Sequence, residues 1–152
     1  RRRPRWNGWR RHGGNALIDH LSIGVTDLKR AKAFYDDVLA TIGCACIFTV
    51  DVPGEGVVAH GYGEIGSDHP RFWIGLPERV DAGCNAKGGT HICFVAKRRA
   101  DIDAFHAAAL KAGGKDNGKP GLRPHYHPNY YGGFAFDLDG NKIEACSHHP
   151  EP

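Results

Sequence analysis

The chain has 152 residues, of which 41 % are apolar and 24 % charged, a composition typical of a soluble globular protein. This length suits one domain or two small fused modules, and no apolar run approaches the ~20 residues that a membrane helix needs. The formal net charge is +3, but residues 1–16 hold six arginines and no acid, so residues 17–152 carry −3. A nucleic-acid role would rest on this basic tail and its Trp6 and Trp9 alone. We expect no nucleic-acid partner and interpret the tail as a leader segment.

The cysteine pattern indicates free thiols. There are five cysteines, an odd number, and no Cys-x-x-Cys pair. Such usage favours a reducing compartment over a disulfide framework. The charged N-terminus is not followed by the apolar stretch of a secretory signal. The sequence therefore predicts a cytoplasmic protein.

The first half of the chain predicts a strand, a helix and three further strands. Residues 17–25 alternate, with Leu21, Ile23 and Val25 on one face. A helical stripe follows, which Thr26 or Asp27 can cap and which Gly43 ends. Its apolar members are Leu28, Ala31, Phe34, Tyr35, Val38 and Ile42. The three later strands are predicted over 44–51, 57–62 and 71–76, between turns rich in Gly and Pro.

The second half repeats this order. A strand over 89–96 precedes a helical stripe of Ile102, Phe105, Ala109 and Leu110, which Gly113-Gly114 ends. Strands follow over 118–125 (weak, because Pro120 interrupts it), 130–137 and 142–147. At an offset of 71 residues, five identities fall within the same frame, including His20 with His91 and Gly43 with Gly114. The pattern predicts an α+β fold of two βαβββ modules, 17–76 and 89–148, joined by a linker over 77–88 and preceded by the tail over 1–16.

Three polar side chains stand out in this frame. The repeat places His20 and His91 at equivalent points of the first strands of the two modules, and Glu144 lies in the last strand. A carboxylate in a strand end that is otherwise apolar needs a partner. If the modules pair about a pseudo-twofold axis, the three side chains converge as a 2-His-1-carboxylate site for Fe, Mn or Zn.

The same residues belong to three motifs. These are Asp19-His20-Leu-Ser-Ile-Gly-Val with Asp27-Leu28 and Phe34-Tyr35; Gly89-Thr-His91-Ile-Cys-Phe-Val; and Asp137-Leu-Asp139-Gly140-Asn-Lys-Ile-Glu144. Together they resemble the vicinal-oxygen-chelate superfamily, which includes glyoxalase I, bleomycin-resistance proteins and extradiol dioxygenases. The resemblance covers residues 17–148 and departs at Leu138, where the family usually has Pro.

The resemblance implies more than the residues do. It implies modules that pair into a cup-shaped mixed sheet, within one chain or between chains, and we expect a homodimer. It also implies a divalent metal ion (Fe, Mn, Ni or Zn) that chelates two adjacent oxygens of a small-molecule substrate. The chemistry stays open between isomerase or lyase action and ring-cleaving dioxygenation. A non-catalytic binding protein of the bleomycin-resistance type is the alternative function.

One ligand of the glyoxalase I pattern is missing. In that pattern a fourth ligand, usually Glu, lies near the end of the first module's last strand. Aligning Ile74-Gly75-Leu76 with Ile143-Glu144-Ala145 predicts Gly75 at this point, and glycine can neither bind a metal nor move a proton. This absence weakens the glyoxalase I interpretation.

The remaining candidates are aromatic, basic or thiol side chains. An acid or base that does not itself bind the metal is predicted in the stretch that follows Arg123. The catalytic candidates there are His125, Tyr126, His127 and Tyr130. The candidates for binding the substrate are Phe48, Trp73, Arg123 and Phe136. Cys93 and Cys146 share faces with His91 and Glu144, and we interpret them as small fillers.

Overall fold

A computed structural model describes residues 20–76, 91–126 and 128–151. The tail over 1–16, the linker over 77–88 and His127 lie outside these ranges. The described part forms two mixed sheets and two helices, which confirms the predicted α+β class of two repeated modules. Neither helix of this part is long and apolar enough to cross a membrane.

Module one contains one helix and a four-stranded sheet. Its elements are β1 (Leu21–Gly24), α1 (Leu28–Ala40), β2 (Cys44–Val52), β3 (Gly56–Glu64) and β4 (Phe72–Gly75). The strand order is β1-β4-β3-β2, with β1 and β4 parallel and the other pairs antiparallel. The Asp27 carboxylate caps α1 by accepting the Arg30 N–H at 2.9 Å, and Gly43 follows the helix at φ +78°.

Module two repeats the arrangement. Its elements are β5 (His91–Val95), α2 (Arg99–Lys111), β6 (Lys115–Asp116), β7 (Gly121–Leu122), β8 (Tyr131–Phe136) and β9 (Lys142–Ser147). The strand order is β5-β9-β8-β6, β5 and β9 are parallel, and β7 also pairs with β8. The single strand predicted over 118–125 is wrong, since only two of its residues pair with a neighbour. Pro120 has no N–H to give to a ladder.

One hydrophobic core serves both modules. The helices α1 and α2 pack together between the sheets, and the rings of Phe72 and Phe94 meet edge to face at 5.2 Å across the modules. Ile143 and Ala145 of β9 face this core with no exposed surface. Because side chains alternate along a strand, Lys142, Glu144 and Cys146 lie on the opposite, outer face.

The connection between β8 and β9 fastens module two to module one. Asp137 is 5 % exposed, and its carboxylate accepts the Tyr35 hydroxyl of α1 at 2.6 Å and the Asn141 N–H at 2.7 Å. The Asp139 carboxylate accepts the N–H of Thr26 at 3.0 Å. Gly140 completes the turn at φ +87°. The Asp-Leu-Asp-Gly segment between β8 and β9 therefore joins the two halves of the fold.

Candidate active site

Glu144 is the centre of the outer face of module two. It is 1 % exposed, yet it lies on the face opposite the core. The Tyr130 hydroxyl donates a hydrogen bond to Glu144 Oε1, and His91 Nε2 lies 3.0 Å from Glu144 Oε2. Both carboxylate oxygens are therefore engaged, which is what burial of an ionisable group requires.

The strand register brings these groups together. β5 and β9 run parallel with His91 opposite Lys142 and Cys93 opposite Glu144, so the imidazole reaches diagonally across the pair. Glycine at position 132 leaves room for both groups, because a Cβ there would lie 2.9 Å from the Tyr130 ring and 3.0 Å from Glu144 Oε1. The ring of Tyr130 can therefore lie directly over β8.

Tyr130 is held in its protonated form. Burial, and then the hydrogen bond to Glu144, raise the pKa of its phenol above the usual range. The hydroxyl is therefore a proton donor over the whole physiological range. Of the three predicted catalytic side chains that the structure describes, it is the one joined directly to Glu144.

Two thiols lie beside the same carboxylate. The sulfur atoms of Cys93 and Cys146 and a carboxylate oxygen of Glu144 all lie within 4.8 Å of one another. The neighbouring Cys93 thiol lowers the pKa of Cys146 to about 6, and the same contact raises that of Cys93. Thiolate and carboxylate are metal-binding groups. The interpretation of these cysteines as fillers missed this contact, although their shared face with Glu144 was the signal.

His20 belongs to the other module. It is exposed and comes immediately before β1, in module one, whereas His91 and Glu144 belong to the sheet of module two. Among the described residues, the one group of three such ligands within 4.8 Å is the Cys93, Glu144 and Cys146 cluster. A coordination sphere of His20, His91 and Glu144 stays a prediction.

A cavity of about 550 Å³ opens in front of Glu144. Its lining residues are His91, Asn117, Gly118, Arg123, Tyr126, Tyr130, Phe134, Lys142 and Glu144. Of the predicted substrate-binding residues it contains Arg123, and it adds Lys142 and Phe134. Lys142 is two residues before Glu144 in β9, so both side chains lie on the same face of the sheet.

The other candidates of the Arg123 stretch lie at the rim or beyond. Tyr126 is 63 % exposed, and its ring meets that of Tyr130 at 5.3 Å between centroids. The His125 ring contacts Tyr126 at 4.2 Å and does not line the cavity. Phe136 shares the outer face of β8 with Phe134 and is paired with Lys142 in the ladder.

Phe48 and Trp73 lie in the other sheet. Their rings meet at 5.9 Å between centroids, with Trp73 8 % and Phe48 42 % exposed. A Cβ at Gly61 would lie 2.9 Å from the Trp73 ring, so the indole covers the strand at that glycine. The two side chains form an aromatic surface on module one.

The register corrects the alignment that predicted Gly75 as the counterpart of Glu144. Leu21 pairs with Phe72 in module one, and Ile92 pairs with Ile143 in module two, both at the repeat offset of 71 residues. The residue opposite Ser22 is Trp73, as Glu144 is opposite Cys93. The sequence alignment was shifted by two residues, and an indole stands where the pattern has a carboxylate.

The fold and sequence match proteins of known structure. The family model for the Glyoxalase/Bleomycin resistance protein/Dioxygenase superfamily matches residues 17–145. A glyoxalase/bleomycin resistance protein from Albidiferax ferrireducens T118 is 30 % identical, with a TM-score of 0.70 over 86 % of this chain and 98 % of that one.

More distant structures share the fold. A glyoxalase I mutant from Zea mays is 22 % identical, with a TM-score of 0.63 over 85 % of this chain and 45 % of that chain. The fosfomycin resistance protein FosX from Listeria monocytogenes is 14 % identical, with a TM-score of 0.58 over 86 % and 92 %. No match was found among curated protein sequences.

Proposed function

Since the chain belongs to the Glyoxalase/Bleomycin resistance protein/Dioxygenase superfamily, we propose that it is a divalent-metal-dependent enzyme acting on a small molecule with two vicinal oxygens. The observation that supports this proposal is the pair of His91 and Glu144. A carboxylate that is 1 % exposed meets an imidazole at 3.0 Å on the wall of an open cavity. Perturbed or buried ionisable groups in a cleft are characteristic of functional sites.

The donor atoms at this position fit a divalent metal. Imidazole nitrogen and carboxylate oxygen are ligands of Fe, Mn, Ni and Zn. In this proposal His91 and Glu144 hold the ion and His20 is the third ligand. A bound ion of this kind acts as a Lewis acid on the oxygens of a substrate.

We propose a homodimer as the arrangement that brings His20 to the cavity. Within one chain the outer faces of the two sheets belong to separate strand sets, and α1 and α2 pack between them. A second copy that set its module one against module two would bring its own β1 edge to the cavity. We propose that this partner supplies His20, and that the aromatic surface of Phe48 and Trp73 then covers the substrate.

Tyr130 is our candidate for moving a proton. Its phenol keeps its proton, because burial and Glu144 raise its pKa, and it lines the cavity. It orients the Glu144 carboxylate by donating its one proton to Oε1, and it would leave that hydrogen bond to give the proton to a substrate oxygen on the same side. Tyr126 at the rim is a second candidate, while His125 and His127 stay predictions of the sequence.

Ring-cleaving or hydroxycarbonyl chemistry fits better than glyoxalase I chemistry. Trp73 occupies the ladder position equivalent to Glu144, so module one offers no carboxylate there to move a proton of the substrate carbon. We therefore expect weak or no turnover of the hemithioacetal of methylglyoxal. The exposed Phe48 ring on Trp73 favours the alternative, a drug-binding protein without catalysis, because aromatic walls bind planar ligands.

Metal content and activity separate these functions. The purified protein is loaded with Fe(II), Mn(II), Ni(II) or Zn(II), its bound metal is measured by mass spectrometry, and it is assayed on a catechol panel and on the hemithioacetal. We expect His91→Ala and Glu144→Gln to lose most of the bound metal and the activity. The control is His149→Ala, an exposed histidine near the C-terminus.

The outcomes are distinct. Metal that stays bound in both site variants would contradict the proposed site. A wild-type protein that binds aromatic ligands and no metal would support the alternative. Robust hemithioacetal turnover in the wild type would contradict the argument from Trp73.

A further inference from the structure

Two cations lie against the same aromatic ring beside the candidate site. Lys142 Nζ is 5.0 Å and Arg123 Cζ is 6.0 Å from the centroid of the Phe134 ring. Both side chains are half-buried and both line the cavity that contains Glu144. The Phe134 ring is also 6.4 Å from the His91 ring, so the cations and the His91–Glu144 pair share one space.

The cavity has more positive than negative charge. Among the described residues that line it, Glu144 is the one carboxylate, and Tyr130 and His91 already engage both of its oxygens. Within residues 20–76, 91–126 and 128–151, neither Lys142 nor Arg123 forms an ion pair. Two like charges in a partly enclosed space repel one another, and an anion placed between them relieves the repulsion.

Arg123 is held in a fixed direction. Its Nη1 donates to the Leu122 carbonyl at 3.2 Å and its Nη2 to the Lys119 carbonyl at 2.8 Å. A guanidinium has five N–H donors, so three are left over from these two contacts in the described residues. A fixed guanidinium with spare donors is suited to binding carboxylate or phosphoryl oxygens in a bidentate manner.

We propose that Arg123 and Lys142 form an oxyanion subsite, which binds the carboxylate or phosphoryl group of the substrate against the face of Phe134. The inference deepens the proposed function and rests on it for one part, namely that the neighbouring substrate oxygens face His91 and Glu144. The substrate class is then a small 2-hydroxy or 2-oxo acid, or the corresponding phosphonate, and a neutral catechol is a poorer fit.

The test compares charged and neutral probes of the same shape. Binding of lactate, hydroxymethylphosphonate and lactamide is measured by calorimetry, on protein stripped of metal and on protein loaded with Zn(II). We expect both anions to bind at least ten times more tightly than lactamide. The tighter of the two anions identifies the oxyanion that the subsite prefers.

Variants assign the preference to the two cations. Arg123→Gln and Lys142→Gln should each weaken anion binding about tenfold or more and leave lactamide unchanged. Arg123→Lys should recover part of the loss, because it keeps the charge but not the planar fork. Lys119→Gln is the matched control, since it removes an exposed cation next to the cavity in sequence but outside its lining.

Failure of this inference differs from failure of the proposed function. Equal binding of lactate and lactamide, no anion binding at millimolar concentration, or an equal loss in Lys119→Gln would overturn the subsite. Anion binding that persists in metal-free protein and in His91→Ala supports the subsite even if the enzyme proposal falls. Should one Gln variant not fold, the wild-type ratio of lactate to lactamide affinity and the other variant still decide the question.

Discussion

The two modules share a backbone plan and differ on their outer faces. Each sheet joins its first and last strands in parallel, and the same ladder position holds Trp73 in module one and Glu144 in module two. The first contacts the Phe48 ring, whereas the second contacts His91 and the Tyr130 hydroxyl. The repeated scaffold therefore fixes where a side chain points, and the residue type at that point decides its chemistry.

In both modules a glycine leaves space for an aromatic ring to lie against the strand. A Cβ at Gly61 would meet the Trp73 ring, and one at Gly132 would meet the Tyr130 ring, each at 2.9 Å. In module one the ring closes the face with apolar surface. In module two the ring carries a hydroxyl that engages a carboxylate. In both modules a ring lies close to the strand. Module two differs because its ring and its strand carry polar groups, which make a candidate site instead of an aromatic surface.

Replacing Trp73 by the glutamate that module two has at the equivalent position should have the largest effect on stability. Trp73→Glu removes the indole from its contact with Phe48 and places a carboxylate at a site that is 8 % exposed. We expect a loss of about 4 kcal/mol in the free energy of unfolding, from lost packing and burial of a charge. Urea denaturation measures it, with Trp73→Phe as the control at about 1 kcal/mol. A loss below 1 kcal/mol for the Glu variant would show that the two faces are interchangeable.

Removing a contact between the modules should lower the free energy of unfolding somewhat less. Asp137→Ala leaves the Tyr35 hydroxyl and the Asn141 N–H without the carboxylate that accepts them. We expect a loss of about 3 kcal/mol in the unfolding free energy, because buried donors would be unsatisfied. Asp51→Ala, at an exposed carboxylate of β2, should change it by no more than about 0.5 kcal/mol. An Asp137 variant as stable as this control would contradict the role of the turn in joining the modules.

A pH-dependent difference should be the smallest of the three. His60 of module one is buried, its Nδ1 lies 3.0 Å from the Thr49 hydroxyl, and burial lowers its pKa. Its folded pKa is thus below its unfolded value of about 6.5. The contribution to stability is complete above that pH and is lost as the pH falls through the folded pKa.

A variant with a side chain that does not titrate isolates the contribution of His60 to the pH dependence of stability. His60→Asn keeps a polar atom near the position of Nδ1 but does not titrate. Between pH 7.5 and 5 the unfolding free energy of the wild type should therefore fall more steeply than that of the variant. Parallel curves from chemical denaturation across this range would show that His60 does not sense pH.

Much of the fold could be predicted from local patterns. Alternation gave β8 and β9, the helical stripes gave α1 and α2, and Gly43 marked the end of the first helix, as the structure confirms. These features depend on neighbouring residues and on the period of each element. Two predictions were wrong: the single strand over 118–125 and the alignment of Gly75 with Glu144. Both depend on which strands pair, and pairing partners are not visible in one strand alone.

The sequence by itself determined which polar side chains are candidates for the chemistry. His91 and Glu144 stand out because a repeat and an alternating pattern place polar groups on strands that are otherwise apolar. The tertiary structure decided which side chains they contact. The parallel pairing of β5 with β9 set His91 against the carboxylate, and the chain reversal before β8 laid Tyr130 over it. Lys142 and Arg123 meet on one ring because residues about twenty apart in sequence converge only when the sheet forms. Such contacts depend on strand register, which is a property of the folded sheet rather than of any single segment.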